Sequence, residues 1–420
     1  MDLNLAPDDA QLKTINQYPL RVLLYSHDSV GLGHLRRNLA IASEITATFE
    51  NASVMIVTGS SCATQFVLPR NTDLIKIPTI TKNDRGEYVT CSFGGSLQVT
   101  LAFRSKMILE AFRSFEPRLV IVDHQLTGLK GEAMAMLREA RARQTLLFFG
   151  MRDVKDGAEA VRRAWDNADS RWALNECYDQ VCVYGMQEVF DPREVYAPLL
   201  DTVRRCDFTG FIVRPEKLVV ARRAPRARKK VLVIFGGGVD GAQRAEQYLQ
   251  ALANTPAHWD SLIVTGPMME PGVIRGLTDK AQKIQPIGSV KIKRFHRNIP
   301  RLLRKVDAVV SMAGYNSCAE ILQSGVPAVL MPRSFPREEQ LIRAMRMAKL
   351  GWVSAMPQAN PDPEYIFDAV ERALETSRTG SPQADLNGLN NLSRIILDHL
   401  QLTAQSEARP RAEQAVGCLA

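Results

Sequence analysis

Short runs of branched apolar residues alternate with longer amphipathic stretches along most of this chain, and that alternation limits the fold more than any other feature. From Leu20 onward the apolar runs are continuous, which is typical of strands in a sheet covered on both faces. The stretches between them, such as 35–49, 97–115 and 131–143, have the spacing of helices. Repeated strand, helix, strand units predict an α/β fold with doubly wound parallel sheets.

The alternation stops at a basic segment, 214–230, and restarts after it. This segment is therefore the predicted linker between two Rossmann-like domains in tandem. We expect the first domain over 18–213, after an N-terminal extension over 1–17, and the second over 231–375. A C-terminal helix and a mobile tail are expected over 376–420.

Two segments give less regular signals. The arginines of the linker are consistent with contact to nucleic acid or lipid headgroups, or simply with a solvated linker. Inside the second domain, the stretch 267–283 is predicted to consist largely of loops.

Composition is that of a soluble globular protein, with 45% hydrophobic and 23% charged residues in 420. It excludes a disordered chain, a collagen and a small disulfide scaffold. The net charge of +8 suits anionic partners without naming one. Seven cysteines without metal-ligand spacing predict a reduced, cytoplasmic protein with no metal site. We find neither a signal-peptide pattern nor an apolar stretch near the roughly 18 residues that span a bilayer.

The first predicted strand leads into a glycine loop and a helix. In open parallel sheets, ligands bind beyond the carboxyl ends of the strands. Gly31 and Gly33 let the backbone approach a ligand, and His34 lies at a helix N-terminus that favours the neutral imidazole. His34 is therefore the candidate general base, with packing at the turn as the alternative. His27 and Asp28 lie beside it, and spacing does not choose between them for orienting a substrate.

A second glycine loop follows the first strand of the second domain. Gly236, Gly237 and Gly238 precede a predicted helix, so their backbone N–H groups suit a diphosphate. The loop lacks the Lys-Ser/Thr ending of a P-loop and the spacing of a dinucleotide fingerprint. A glycine turn without a ligand is the alternative.

Three residues farther along the second domain share one face at the start of a helix. Gly314, Ser317 and Glu320 are spaced by three. The Glu320 carboxylate suits the two hydroxyls of a ribose, and Gly314 and Ser317 would lie near phosphates. Alternatively, Glu320 only interacts with the dipole of its own helix.

Polar pairs end two more strands of the first domain. Asp123 and His124 form one pair, and Arg152 and Asp153 form the other. Asp123, His124 and Asp153 are candidates for acceptor binding, and Asp123 could orient a histidine. Helix capping is the alternative for both aspartates.

The pattern Gly314, Ser317, Glu320, Gly325 and Pro327 resembles the GT-B glycosyltransferases related to MurG, the N-acetylglucosaminyl transferase of peptidoglycan synthesis. The similarity is of the family 28 C-terminal domain type. At fold level it extends over about 20–375, and its motifs are strong over about 290–345.

This resemblance implies a GT-B fold with the ligand cleft between an acceptor domain and a nucleotide-sugar domain. It implies that Glu320 binds the ribose of a UDP-sugar, that the backbone at Phe295 and His296 holds the uracil, and that Gln340 contacts the donor. It also implies that Arg214 reaches the diphosphate. UDP-sugar would be the donor substrate, without a further cofactor.

The chain departs from the family pattern at two places. One extra residue and no serine accompany the glycines at 236–238, so a hydroxyl contact is lost. Arg337 and Glu339 replace the acidic residue and first glutamine of the family's D-x-Q-Q stretch, which places charge where the donor sugar is read. Glu339 remains among the predicted donor-binding residues.

The opening loop, G-L-G-H-L-R-R, is also similar to the UDP-sugar hydrolase of pseudaminic acid synthesis, in which the matching histidine activates water. Two enzymatic hypotheses follow. The first is metal-independent inverting transfer of a hexose or N-acetylhexosamine from a UDP-sugar to an acceptor hydroxyl, with His34 as base. The second is a UDP-sugar hydrolase or epimerase that uses the same nucleotide site.

Two predictions concern partners. The segment 99–118 mixes phenylalanines with basic residues, which suits peripheral contact with an anionic membrane and a lipid-linked acceptor; a core-facing amphipathic helix is the alternative. A non-enzymatic, basic nucleic-acid-binding protein is the third hypothesis, but no nucleic-acid motif supports it, so nucleic acid is not an expected partner.

Overall fold

The computed structural model describes residues 19–28, 33–83, 87–91, 94–196, 205–214, 227–238, 240–284, 287–376 and 383–416, with the side chains of the last helix as far as Leu402. The predicted N-terminal extension and most of the predicted linker lie outside the described residues, as does Gly31. The domain boundaries therefore stay predictions.

The first domain is built on a seven-stranded parallel sheet in the described residues, with the order β3-β2-β1-β6-β7-β8-β9. The central strands are almost entirely buried on both sides, as their continuous apolar runs predict. The strands are β1 (Leu20–Ser26), β2 (Ala52–Thr58), β3 (Thr72–Lys76), β6 (Leu119–Asp123), β7 (Leu146–Arg152), β8 (Gln180–Tyr184) and β9 (Cys206–Phe208).

Helices cover this sheet, and a short antiparallel hairpin extends from it. The hairpin pairs β4 (Ile80–Lys82) with β5 (Tyr88–Thr90). The helices are α1 (Gly33–Thr48), α2 (Leu97–Phe115), α3 (Met134–Ala142), α4 (Ala158–Trp165), α5 (Ala168–Trp172) and α6 (Pro192–Val195).

The second domain repeats the plan with a six-stranded parallel sheet of order β12-β11-β10-β13-β14-β15. Its strands are β10 (Lys230–Ile234), β11 (Asp260–Val264), β12 (Val290–Lys293), β13 (Ala308–Ser311), β14 (Ala328–Leu330) and β15 (Ser354–Ala355). Its helices are α7 (Ala242–Asn254), α8 (Pro271–Lys283), α9 (Ile299–Leu303), α10 (Tyr315–Ser324), α11 (Glu339–Lys349) and α12 (Pro363–Glu375). The predicted fold class, two doubly wound parallel-sheet domains, is confirmed.

The expectation of loops over 267–283 is wrong, because α8 occupies Pro271–Lys283. Leu277 is its one buried residue, and Val273, Ile274 and Ala281 pack partly buried beside it at helical spacing, so its apolar stripe is present but short. Two glycines inside it, Gly272 and Gly276, also lower its helical signal. A proline at its first turn is the one clear sign of its start.

The last helix, α13 (Gly388–Val416), returns to the first domain and packs against α1. Ile396 is fully buried there, and Asn391 Nδ2 donates to the Thr209 carbonyl at 2.8 Å. The backbone stays helical to Val416, beyond Leu402, where the apolar spacing ends. The chain therefore returns to the first domain after it has completed the second.

Each sheet reverses its strand order at one position, and the two positions define the site. In the first sheet, β1 lies between β2 and β6, and in the second, β10 lies between β11 and β13. The crevice at such a reversal is where open α/β sheets bind ligands. His34 and the glycine loop at 236–238 follow β1 and β10, respectively.

Candidate functional site

A histidine and an aspartate meet at the strand-order reversal of the first sheet. His34 opens α1, Asp123 ends the neighbouring strand β6, and His34 Nδ1 lies 2.7 Å from Asp123 Oδ2. An ionised carboxylate only accepts hydrogen bonds, so Nδ1 carries the proton and Nε2 is left as the proton acceptor. The pair has the geometry of a base held in one tautomer by an acid.

Arg37, one helical turn after His34, fixes the same carboxylate. Its Nη2 donates to the two Asp123 oxygens at 2.8 and 2.6 Å, and both side chains are almost fully buried. Burial alone would raise the pKa of Asp123, but the charges and hydrogen bonds of Arg37 and His34 hold it well below its ordinary value. Asp123 is therefore a permanent anion at neutral pH. Arg37 was not predicted as a site residue, although its spacing of three from His34 was a signal.

Asp28 has a structural position at the start of α1. One of its oxygens accepts from the Leu35 N–H at 3.2 Å, and the other accepts from Ser26 Oγ and Thr58 Oγ1 at 2.5 and 2.6 Å. It thus holds the first turn of α1, which carries His34, close to the ends of β1 and β2. His27 is buried with its ring 5.0 Å from that of His34, and burial, followed by the nearby His34, lowers its pKa well below the ordinary value.

Three basic side chains lie at the ends of β6 and β7, where His124 and Lys155 are buried and Arg152 is half-buried. The His124 ring is 5.3 Å from that of His34, and its Nε2 lies 2.7 Å from Arg152 Nη2. Lys155 Nζ donates to the His124 carbonyl at 2.8 Å. Burial, then the neighbouring positive charges, lowers the pKa of His124 well below its ordinary value and that of Lys155 to about 7. Burial likewise lowers the pKa of Arg152 to about 10.

Asp153, a predicted acceptor-binding residue, is engaged by the second domain. Arg343 of α11 donates to its two oxygens at 2.7 and 2.6 Å, and both side chains are fully buried. The same arginine donates to the Ala313 carbonyl at 2.9 Å. With both oxygens occupied, Asp153 joins the two domains, and we no longer assign it to the acceptor.

The glycine loop after β10 has one tightly packed and one open position. Gly238 has φ +92°, and a Cβ there would lie 2.5 Å from the Thr265 carbonyl oxygen, so only glycine fits. Gly236 has φ +60° with nothing within 4 Å of where a Cβ would be. The same open space surrounds Gly314, the residue before α10. Gly236 and Gly314 therefore leave backbone accessible for a ligand. Gly237 lies between the open Gly236 and the tightly packed Gly238.

The start of α10 faces the start of α1 across the domain boundary. Asn316 Nδ2 donates to the Gly33 carbonyl at 3.2 Å, and Arg36 Nη2 donates to Glu320 Oε1 at 2.5 Å. Ser317 lies half-buried on the same turn. Glu320, the carboxylate predicted to hold a ribose, is thus paired with Arg36 of the first domain. This ion pair was not predicted from the sequence.

The other predicted donor-binding residues are spread along the second domain's edge of the cleft. Phe295 is 54% exposed, and His296 Nδ1 accepts from the Asn298 N–H at 3.1 Å. Glu339 accepts from Arg333 Nη2 at 2.8 Å, and the Gln340 side-chain oxygen accepts from the Arg333 N–H at 3.3 Å. Arg214 lies apart from these residues, where the chain crosses between the domains. It is exposed, and its carbonyl oxygen accepts a hydrogen bond from Gln323 Nε2.

Residues 261–396 match the model of the glycosyltransferase family 28 C-terminal domain. The chain is also similar to two curated UDP-N-acetylglucosamine–N-acetylmuramyl-(pentapeptide) pyrophosphoryl-undecaprenol N-acetylglucosamine transferases. The protein of Leuconostoc mesenteroides is 33% identical over 179 residues, covering 40% of this chain and 48% of that protein. The protein of Helicobacter pylori is 24% identical over 178 residues, covering 42% and 48%. The chain thus spans about half the length of these relatives.

Solved structures extend the similarity of the family 28 domain to the whole fold. MurG of Acinetobacter baumannii superposes with a TM-score of 0.58 at 14% identity, covering 91% of this chain and 99% of that one. CalG4, the calicheamicin glycosyltransferase, superposes with a TM-score of 0.58 at 16% identity, covering 92% and 98%. The chain has the GT-B fold, as the sequence motifs predicted.

Removing the charge of Asp153 tests the joint between the domains. We expect Asp153→Asn to lower the free energy of unfolding by about 3–5 kcal/mol, because Arg343 is left buried without a counter-charge. Urea unfolding followed by circular dichroism measures this. The matched control is Asp166→Asn, which breaks the exposed Arg171 pair and should cost under about 1 kcal/mol. Equal effects of the two substitutions would contradict the assignment.

Proposed function

We propose that this protein transfers a hexose or N-acetylhexosamine from a UDP-sugar to an acceptor hydroxyl by inverting displacement. The observation that carries the proposal is the His34–Asp123 pair, which lies at the first sheet's strand-order reversal and faces a family 28 domain. His34 Nε2 takes the proton of the acceptor hydroxyl as that oxygen attacks the anomeric carbon. Asp123 stabilises the imidazolium that forms.

The donor lies on the second domain in this proposal. Its diphosphate rests on open backbone at Gly236 and Gly314, and the N-terminus of α10 adds a positive dipole end. Glu320 accepts hydrogen bonds from the ribose hydroxyls, and the strand end at Phe295 and His296 holds the base. Arg36 of the first domain, which pairs with Glu320, would cover the bound donor from the opposite side of the cleft.

Charge on the departing UDP is stabilised by helix dipoles, backbone N–H groups and arginines. Arg214 lies near Arg36 and Glu320, close to where the phosphates would be. Preorganised donors of this kind act without reorganisation at the moment of reaction. Among the described residues, no group of three His, Cys, Asp or Glu side chains is arranged to hold a metal ion. We propose that transfer is metal-independent because these helix dipoles, backbone N–H groups and arginines are placed to stabilise the charge on UDP.

Replacing the base tests the mechanism. We expect His34→Ala to reduce turnover by about two to four orders of magnitude while UDP still binds, because the base is on the other domain. UDP release is measured with a panel of UDP-sugars, with and without sugar acceptors. His258→Ala, an exposed histidine of the second domain, is the control.

The same assay separates transfer from hydrolysis, the alternative that the G-L-G-H-L-R-R loop favours. Fast release of free sugar by the wild-type protein without any acceptor would make water the substrate. Unchanged turnover in His34→Ala would remove His34 from either mechanism.

The ribose contact is tested by comparing two nucleotides. We expect the wild-type protein to bind UDP about tenfold more tightly than 2′-deoxy-UDP, because a carboxylate that holds two hydroxyls loses one partner. In Glu320→Ala that difference should vanish. Isothermal titration of both nucleotides into both proteins gives the four affinities. A tenfold difference that persists in the variant would exclude Glu320 as the ribose ligand.

The acceptor domain also presents an apolar surface that suits contact with an anionic membrane. On α2, Val99 is 68% exposed and Phe103 46% exposed, with Lys106 exposed on the next turn. Arg104 takes no part, since it is fully buried against Glu132. The helix thus has a core face, as one alternative predicted, and an outer face with apolar and basic side chains. In the described residues, no helix has both the length and the apolarity to cross a bilayer.

Sedimentation with liposomes tests this surface. We expect the wild-type protein to co-sediment with acidic liposomes at low salt, and the double variant Val99→Ser, Phe103→Ser to do so several-fold less, because burial of two apolar side chains in the lipid interface is lost. The control is Val67→Ser, a valine 93% exposed elsewhere on the same domain. Equal sedimentation of all three proteins would exclude a role for α2.

A further inference from the structure

At the junction between the domains, some cations form ion pairs with carboxylates and others do not. Arg36, Arg37, Arg333 and Arg343 each pair with a carboxylate. Three other cations, Arg152, Lys155 and Arg337, have no ion pair within the described part of the chain. We call these three, together with His124, the basic cluster.

Hydrogen bonds hold the basic cluster together from both domains. Arg152 and Lys155 lie on either side of His124, at 2.7 Å from its Nε2 and 2.8 Å from its carbonyl oxygen. Arg337 approaches from the second domain, because the N–H of the next residue, Glu338, donates to Asp156 Oδ1 at 2.8 Å. Residues 337–338 thus lie against residues 155–156, and the cluster spans the cleft.

Two polar atoms inside the basic cluster are buried without a hydrogen-bond partner. They are His124 Nδ1, on a residue that is 1% exposed, and Arg152 Nε. Buried polar groups are nearly always satisfied in folded proteins, and unpartnered ones point to a missing ligand or water. Lys155 is only 7% exposed, and its ammonium donates to the neutral His124 carbonyl and lies 5.4 Å from the centre of the Trp165 ring.

Electrostatics makes this arrangement costly without an anion. Burial and the charges of Arg337 and Arg152 lower the pKa of Lys155 to about 7, so keeping it protonated costs free energy. Like charges held close together are typical of sites that bind the opposite charge. Neighbouring carboxylates offset only part of this charge, because Glu339, near Arg152, is paired with Arg333, and Asp123 and Asp153 are each held by another arginine. Asp156, near Lys155, accepts a hydrogen bond from the Glu338 N–H.

The position of the basic cluster identifies what brings the anion. His124 lies 5.3 Å, ring to ring, from His34, the proposed base, so an anion here is within the breadth of one sugar from the reacting centre. We propose that Arg152, Lys155 and Arg337 with His124 bind a carboxylate or phosphate group carried by a sugar substrate. The inference rests on the proposed function and narrows it to acidic sugars, such as uronic acids or sugar phosphates. Arginine forks and a lysine ammonium suit either anion.

The diphosphate of the donor is the other anion in the cleft, and it has its own place. Gly236 and Gly314 belong to the second domain, whereas three of the four cluster residues belong to strand ends of the first. The experiment therefore separates binding of the nucleotide from recognition of the acidic sugar.

Isothermal titration with matched ligands tests the proposal. The donor arm compares UDP, UDP-glucose and UDP-glucuronate, which differ only in the sugar group. The sugar arm compares glucose, glucuronate and glucose 6-phosphate, each with and without UDP. In at least one arm, we expect the acidic ligand to bind the wild-type protein about tenfold or more tightly than its neutral counterpart, the size of a charge-assisted hydrogen bond. The arm that discriminates tells whether the donor or the acceptor carries the acid.

Variants locate the effect. Lys155→Met and Arg337→Gln should each bring the acidic and neutral ligands to within about threefold of each other, with the affinity for UDP unchanged. Arg337 is partly exposed, so its substitution does not depend on repacking a buried site. Arg346→Gln removes the same charge from an exposed position on α11 and should keep the full preference.

Three results are decisive against one proposal or the other. No preference for an acidic ligand in either arm would overturn the inference. Equal loss of UDP affinity and of the preference in the variants would also overturn it, since the basic cluster would then hold the diphosphate. If UDP binds to none of the proteins, the proposed donor site is wrong, and the sugar arm without UDP still decides the inference.

Discussion

The aromatic ring of Tyr315 lies close to two buried arginines, one from each domain, and the rest of the site depends on these contacts. Arg37 of the first domain is 5.4 Å from the ring centre, and Arg343 of the second is 5.8 Å away. Tyr315 Oη also accepts from the Ile212 N–H at 2.9 Å, where the chain crosses between the domains. The ring attracts both guanidinium groups through cation–π interactions, in addition to the aspartate that each arginine pairs with.

Each of these arginines then fixes one aspartate, and the two aspartates have different tasks. Arg37 holds Asp123, which orients His34, whereas Arg343 holds Asp153, which joins the domains. The proposed base and the interdomain joint therefore share one support. A shift of the second domain would move Tyr315 and with it the arginine that sets the geometry at Asp123. Buried ion pairs of this kind contribute little net stability but define one arrangement.

Much of the fold could be predicted from the sequence because its signals are local. Continuous apolar runs marked β1, β2, β6, β7 and β8, and the helix over Leu97–Phe115 was placed at its observed bounds. The prediction failed where the local signal was weak: in α8, two glycines lower the helical propensity and only Leu277 of its short apolar stripe is buried. The short hairpin β4–β5 was missed because strands of three residues, of which only Ile80 is buried, are too short to show an alternation.

In the candidate site, too, some residues could be predicted from local sequence and others could not. The sequence by itself determined that glycine loops and helix starts follow the strand ends, since strand ends and turn residues are local properties, and it placed His34, Asp123, Gly236, Gly314 and Glu320 there. Only the tertiary structure decided which carboxylate meets which cation: Asp123 is 86 residues from Arg37, Asp153 is 190 from Arg343, and Glu320 is 284 from Arg36. Pairing over such separations depends on how two sheets pack against each other, and no local pattern encodes it. The unpaired basic cluster appeared for the same reason, because a cation is left without a partner only once every carboxylate has been assigned.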